Sequence, residues 1–269
     1  MDATLIRSYL FVPATHPARF AKAAASGADA VIIDLEDAVS PDAKDDARNA
    51  ACAFFDAGGH ALLRVNAADT AWFAQDMALC ASAGVTGIVL PKAEGARELD
   101  AVRNALHEAK PVLPIIETAA GIANAGSIAA DPQTVRLLFG TVDFCLDLNV
   151  QGDGEELLFY RSLLVLASRL GGIDMPVDGP ALSIHEPEAL QRACEHARRI
   201  GFGGKLCIHP AQVADVNRCF SPSDAELEWA ARVVDRAGSG AGAFSLDGKM
   251  VDAPVIERAA RILSRARTA

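Results

Sequence analysis

The middle of this chain repeats an apolar, strand-sized run every 25 residues, starting at Gly87, Val112 and Leu137. That interval is the length of one strand, one helix and two short loops. A strand, a helix and a second strand lay the two strands side by side and parallel, joined by a right-handed crossover. The pattern continues in both directions. Strand-like runs fall at Tyr9–Val12, Ala30–Leu35, Leu62–Val65, Gly87–Leu90, Val112–Ile116, Leu137–Val142, Met175–Val177 and Lys205–Ile208, with the seventh the weakest. Segments of helical character separate them: Ala18–Ser26, Asp42–Asp56, Thr70–Ala83, Ala96–Ala109, Ala119–Ala130, Glu155–Leu170, Glu186–Ile200 and Ala211–Cys219. Ser40 and Pro41 suit the cap and first position of the second helix. Gly27, Gly58, Gly84, Gly171 and Gly201 stand where helices prefer to end. Eight such units in about 220 residues predict a (β/α)8 TIM barrel. An open doubly wound sheet is the runner-up, but the Gly-x-Gly-x-x-Gly turn it favours after the first strand is missing.

The 269 residues, 51% of them hydrophobic, suit one large domain with a small appendage. Residues 1–236 read as the barrel, closing with a helix at Asp224–Arg236. The Gly- and Ala-rich run Ala237–Gly242 reads as a flexible linker. A short segment, Phe244–Asp252, and a last helix, Pro254–Arg267, complete an arm over 237–269. The six cysteines are scattered with no Cys-x-x-Cys pair, which fits buried thiols in a reducing cytoplasm better than zinc or redox chemistry. The start Met1-Asp2-Ala3-Thr4 does not read as a signal peptide, and no apolar run reaches the roughly 18 residues of a membrane span. A cytoplasmic protein is expected. A net charge of −10 argues against nucleic acid as a partner.

In a barrel of this kind, chemistry sits at the C-terminal ends of the strands. Glu117 closes the run Val112–Ile116, and Asp143 closes Leu137–Val142. The strand-helix-strand arrangement brings both carboxylates to the same end of the sheet, within reach of one divalent cation. Oxygen ligands with room for water suit Mg2+ or Mn2+. Asp34-Leu35-Glu36-Asp37 adds three acids at another strand end, either as helix-approach residues or as groups that orient metal waters or hold an arginine. Arg64, inside the apolar run Leu62–Val65, needs a partner. Glu36 or Asp37 can supply a structural ion pair; alternatively the guanidinium clamps a substrate carboxylate or stabilises an enolate. Lys92 reads as a solvated or phosphate-facing lysine rather than a Schiff-base lysine, and His209 as a structural histidine. No Gly-x-Ser-x-Gly nucleophile motif occurs.

Taken together, the stretches Arg7–Ala14, Asp29–Val39 with Lys44 and Arg48, Leu63-Arg64-Val65-Asn66, Leu90-Pro91-Lys92, Ile116–Gly121, Phe139–Phe144 and Gly204–Gln212 resemble the citrate lyase β-subunit-like group of the HpcH/HpaI aldolase superfamily. That group includes malyl-CoA and citramalyl-CoA lyases. The resemblance implies a (β/α)8 barrel, usually trimeric or hexameric, with Mg2+ on Glu117 and Asp143 and a substrate-contacting Arg64. It implies cleavage of a 3-hydroxy-3-carboxyacyl-CoA to acetyl-CoA and a 2-keto acid. Catalytic roles fall on Arg64, Glu36, Asp37 and Asp252, and coenzyme A contacts on Arg7, Asn66 and Lys92. The segment Asp247–Pro254 resembles a C-terminal lid whose acid, Asp252, reaches a neighbouring subunit. Asp147-Leu148-Asn149, where the group often has Asp-Leu-Gly, and the run Ala181–Glu186 depart from the pattern and leave the acyl group open. A citrate lyase β subunit working on a carrier-protein thioester, a malyl-CoA thioesterase and a non-enzymatic acyl-CoA or keto-acid binder are the alternatives. A thioester-free pyruvate aldolase is disfavoured, because Leu35-Glu36-Asp37-Ala38 replaces its histidine base.

Overall fold

A computed structural model describes residues 6–238 and 243–266. Eight strands close into a parallel barrel in sequence order: β1 Ser8–Pro13, β2 Ala30–Asp34, β3 Ala61–Arg64, β4 Val85–Leu90, β5 Val112–Ile116, β6 Arg136–Phe139, β7 Asp174–Asp178 and β8 Gly204–Cys207. β1 pairs with β2 on one side and with β8 on the other, which closes the ring. The strands are buried on both faces, which is why they read as near-continuous apolar runs rather than as alternating ones. Every residue of β5 and β6 is buried.

Successive side chains of a strand point to opposite faces. Tyr9, Ile32, Leu62, Val89, Leu113, Ile115, Leu138, Val177 and Leu206 form one packed cluster inside the ring. Each such side chain stabilises the fold by roughly 1.5–3 kcal/mol when fully buried. Two residues further along the same faces come Asp34 after Ile32, Arg64 after Leu62, and Glu117 after Ile115. The interior therefore changes from apolar to ionic within one step of the pleat, at the C-terminal mouth.

The helices are α1 Phe20–Ala24, α2 Lys44–Asp56, α3 Phe73–Leu79, α4 Ala96–Ala105, α5 Ala119–Ala123, α6 Ala125–Ala129, α7 Thr141–Leu148, α8 Leu158–Gly171, α9 Pro187–Ile200 and α10 Val213–Phe220. α9 shows how they cover the ring: Leu190, Cys194 and Ala197, spaced four and three apart, are buried while charged residues fill its outer face. Two sequence expectations change. The run Leu137–Val142 is not one strand: β6 ends at Phe139, and α7 starts at Thr141 after Gly140. The β-branched pair Thr141-Val142 mimics strand composition but lies in a helical turn. The segment Ala119–Ala130 is two five-residue helices that meet at Asn124, whose backbone leaves the helical region. Ser40 and Pro41 do open the second helix, through a 3-10 turn at Pro41–Ala43, although the Ser40 side chain makes no capping hydrogen bond.

The chain divides into two compact units, with the boundary between Asn217 and Arg218. In the second unit, α11 Asp224–Gly238 packs on α12 Ala253–Ala266 through Ala230, Val233, Ala259 and Ile262, with Val251 completing the cluster. A hairpin of β9 Phe244–Leu246 and β10 Lys249–Val251 turns on Asp247-Gly248, both in the left-handed region (φ 51° and 75°). This is the two-residue turn that matches strand twist. Arg232 clamps Asp247 with two bonds, of 3.0 and 2.7 Å. Of the expected linker, Ala237 and Gly238 end α11, and residues 239–242 lie outside the described residues. No described helix is long and apolar enough to cross a membrane.

Candidate active site

The C-terminal mouth of the barrel holds a cavity of about 300 Å3. Its charged lining is Asp34, Asp37, Arg64, Glu117 and Asp143. Arg64 is the organising cation. Its Nε and Nη2 each donate to Asp34 at 2.7 Å, and its Nη1 lies 2.9 Å from Glu36 Oε2. The β2–β3 register places Asp34 beside Arg64, so the bidentate pair follows from the pairing of the strands. The Phe11 ring packs 4.7 Å from the guanidinium carbon and fixes its plane. Burial works against the Arg64 charge, but Asp34 and Glu36 outweigh it and hold the pKa above its usual value.

Glu117 is 3% exposed and follows the last residue of β5. Its Oε1 accepts the Lys92 backbone N–H at 2.7 Å. Lys92 adopts a left-handed backbone (φ 49°) to present that N–H, an unusual conformation for a residue with a side chain. Gly140 stands opposite. A Cβ there would lie 2.5 Å from Glu117 Oε2, so only glycine leaves space for this carboxylate. Burial, together with the Glu36 and Asp143 charges, pushes the Glu117 carboxyl up to about 8, against the pull of the Lys92 N–H and Arg64. Glu36 is also raised, first by burial and then by Asp37 and Asp34, with Arg64 and Lys92 opposing. Asp143 sits in the first turn of α7, where the helix dipole favours an acid. Asp34, Glu36 and Glu117 are buried, Asp143 half-buried and Asp37 exposed; together these carboxylates outnumber Arg64, Lys92 and Lys44, and a dication would offset the surplus. Among the described residues, no three His, Cys, Asp or Glu side chains gather to hold a metal by themselves. Two carboxylates, with the remaining ligands from water and substrate, is how Mg2+ is usually held.

The sequence pattern of the HpcH/HpaI aldolase/citrate lyase family matches residues 7–210. The chain belongs to that family. A second pattern, for carbon–carbon bond lyases of the TIM-barrel fold, matches residues 162–268. A citrate lyase subunit beta-like protein of Deinococcus radiodurans is 38% identical, with 97% of each chain covered. A (3S)-malyl-CoA thioesterase of Cereibacter sphaeroides is 36% identical over 97% of this chain and 94% of its own. Among solved structures, CitE from Mycobacterium tuberculosis in complex with magnesium, acetoacetate and coenzyme A superposes with a TM-score of 0.86 at 35% identity, covering 99% of this chain and 100% of that one.

Within this carbon–carbon lyase barrel, the expected site residues separate into groups. Arg64, Glu36, Asp37, Glu117 and Asp143 come together at the mouth. Lys92 joins them at the rim, 45% exposed, with its Nζ 3.2 Å from Glu36 Oε1. Burial opposes its charge, but Glu36 raises its pKa, the opposite of what a Schiff-base lysine needs. Asn66 was expected to contact coenzyme A. It is buried and fully engaged: Nδ2 donates to Leu35 O and Asp76, and Oδ1 accepts from Lys44 Nζ at 2.6 Å. Arg7 carried the same expectation. It precedes β1, one strand length (roughly 20 Å for six residues) from the mouth. Asp29 holds it there, accepting from its backbone N–H, Nε and Nη2 at 2.7–2.9 Å. Asp252 belongs to the other compact unit, where it lies between β10 and α12. The His209 ring accepts the Ala211 N–H at the start of a 3-10 turn.

The acids at the end of β2 were expected to orient metal waters or hold an arginine, and Asp34 is the bidentate partner of Arg64. Two other contributors were given no role by the sequence reading. Lys44 is buried and donates to the carbonyls of Leu35 and Glu36 at 2.7 and 2.8 Å, bracing the loop that carries Glu36. Phe11, Ile115, Leu206 and Ile208 form an apolar part of the lining, and nothing in their composition marks them out from core residues.

Proposed function

We propose that the protein is a Mg2+-dependent lyase that cleaves a 3-hydroxy-3-carboxyacyl-CoA to acetyl-CoA and a 2-keto acid. The observation that carries this reading is the meeting of Glu117, Asp143 and the braced Arg64 around one cavity at the C-terminal mouth. The relatives lend support: a solved neighbour is named as binding magnesium, acetoacetate and coenzyme A.

Glu117 and Asp143 would hold the ion. When bound, Mg2+ supplies a Lewis acid for the hydroxyl and carboxylate oxygens of the fragment that leaves as the keto acid. Asp34 and Glu36 keep the Arg64 guanidinium oriented before substrate arrives, so little reorganisation is needed when charge develops on the substrate oxygens. Asp37, exposed on the lining, is a candidate to take the hydroxyl proton as the carbon–carbon bond breaks. Asp252 on the C-terminal arm, contributed by a neighbouring copy in a trimer or hexamer, would exchange a proton with the enolate carbon, and closure of that arm would exclude water.

Hydrolysis of the same thioester is the second reading, favoured by the 36% identity to a malyl-CoA thioesterase. A panel of malyl-, citramalyl- and citryl-CoA, incubated with and without EDTA and followed by mass spectrometry, tests both. Mg2+-dependent release of acetyl-CoA with a keto acid supports the lyase. Free coenzyme A with the hydroxy acid means the thioesterase. No turnover of any of them defeats both readings.

A further inference from the structure

Lys44, at the start of α2, is 5% exposed, yet its ammonium forms no ion pair among the described residues. Its three N–H bonds go to neutral oxygens: the Leu35 and Glu36 carbonyls and Asn66 Oδ1. A buried ammonium is costly, and an apolar side chain would fill the same space at less cost. The acceptors show what the charge achieves. Neighbouring carbonyls of an extended strand point to opposite sides, so two that converge on one ammonium hold the chain in a bend, here at Glu36. The other flank of the Glu36 peptide is also gripped, its N–H donating to Asp34 Oδ1 at 2.9 Å. From that fixed peptide the Glu36 carboxylate reaches Arg64 Nη1 at 2.9 Å and Lys92 Nζ at 3.2 Å. Behind Lys44 the bonds continue outward. Asn66 donates its backbone N–H and Nδ2 to Asp76 Oδ2 at 2.8 and 2.6 Å, and Asp76 Oδ1 accepts from Arg48 Nη1 at 3.0 Å. The Trp72 ring packs 5.1 Å from the ammonium. None of Lys44, Arg48, Asn66, Trp72 and Asp76 lines the cavity.

We infer that Lys44 is a positioning residue for the candidate active site: it sets the Glu36 carboxylate and, through it, the Arg64 guanidinium in the orientation that receives substrate. This rests on the lyase reading above, in which Arg64 meets the substrate. Asp34 takes the Nε and Nη2 of Arg64, and Glu36 takes Nη1, the nitrogen that Asp34 leaves free. Without Lys44 the bend at Glu36 relaxes and the Nη1 contact goes with it. The carboxylate placed to hold the metal is secured separately, because Glu117 accepts the Lys92 backbone N–H and packs against Gly140. Lys44 therefore governs the substrate side of the site and not the metal side.

The test is calorimetric titration of the full-length protein, first with Mg2+ and then, Mg2+-loaded, with pyruvate as a keto-acid probe. Lys44→Met should weaken pyruvate binding about tenfold or more, as loss of an outer supporting group commonly does. Mg2+ affinity should stay unchanged, whereas a merely loosened fold would weaken both. The double variant with Glu36→Gln tests the route. If Lys44 acts through Glu36, the double variant binds pyruvate as the weaker single variant does, within about twofold. Asn66→Ala, which removes one of the three acceptors of Lys44, is the second variant should Lys44→Met misfold, and the same pattern is expected on a smaller scale. Pyruvate binding by Lys44→Met equal to that of the unaltered protein, losses that add in the double variant, or a parallel loss of Mg2+ overturns the inference and leaves the lyase reading standing. No pyruvate binding by the unaltered protein overturns that reading and the inference with it.

Discussion

At the N-terminal mouth of the barrel, Arg7 meets Asp29 in a bidentate pair, and Arg136 Nη1 donates to the Ile6 carbonyl at 2.6 Å and to the Tyr9 hydroxyl at 3.0 Å. At the C-terminal mouth, Asp34, Asp37, Glu117 and Asp143 share a cavity with one guanidinium. The first end pairs its carboxylate with a cation and holds Asp29 below the usual carboxylate range: burial works against its charge, but the hydrogen bonds from Arg7 win. The second end leaves negative charge in excess and pushes Glu117 up to about 8. The lesson is that one fold uses ionic groups differently at its two ends: an Arg–Asp pair secures the bottom, and the top carries more carboxylates than cations.

The comparison breaks most sharply at Glu117. Glu117→Gln should reduce Mg2+-dependent turnover by about 10^3-fold or more, while circular dichroism stays native. Gly140→Ala should approach that loss without touching a charge, because its Cβ would displace the Glu117 carboxylate; Mg2+ titration reads the displacement directly. A smaller effect, on stability, is expected at the fully buried triad of Arg161, Asp178 and Lys205, on the outer face of the sheet. Lys205 Nζ and Arg161 Nε donate to Asp178 at 2.6 and 2.8 Å. Burial opposes the Asp178 charge, but Lys205 and Arg161 prevail and depress its pKa. A depressed carboxylate stabilises the fold above its unfolded pKa, near 3.9, and that stability is lost as pH falls through the folded pKa. Asp178→Asn should thus cost about 3 kcal/mol near neutral pH in urea unfolding, and its acid limb should be flatter than that of the wild type. The smallest effect belongs to Arg7→Gln, about 1 kcal/mol of stability with kcat and KM unchanged. A tenfold rise in KM for the thioester there would return Arg7 to the substrate.

The strands were legible because a parallel sheet covered by helices makes each strand a continuous apolar run bounded by polar turns. The meeting of Glu117 and Asp143 at one mouth was legible for the same reason, since a carboxylate following such a run has one end of the barrel to occupy. What escaped was orientation. Asp143 sits one helical turn beyond where the strand ends, because Thr141-Val142 has the composition of a strand and the backbone of a helix. Arg7 and Asn66 sit in stretches shared with the family, yet one precedes its strand and is held by Asp29, and the other is engaged by Lys44, Asp76 and the Leu35 carbonyl. Shared sequence marks a position as constrained. The hydrogen-bond partners decide whether the constraint is catalytic or architectural.

Closure of the ring has a further consequence during synthesis. The partners of β1 are β2 and β8, so one edge of the first strand waits for residues 205–207. A ribosome adding about 5–20 residues per second needs roughly 10–40 seconds to deliver them. Through that interval the growing sheet has an open edge of Val, Ile and Leu, a surface open to pairing with another nascent chain. The eighth strand is short, buried and late, and truncations that stop before Gly204 should be insoluble even though they retain Asp34, Glu36, Asp37, Glu117 and Asp143.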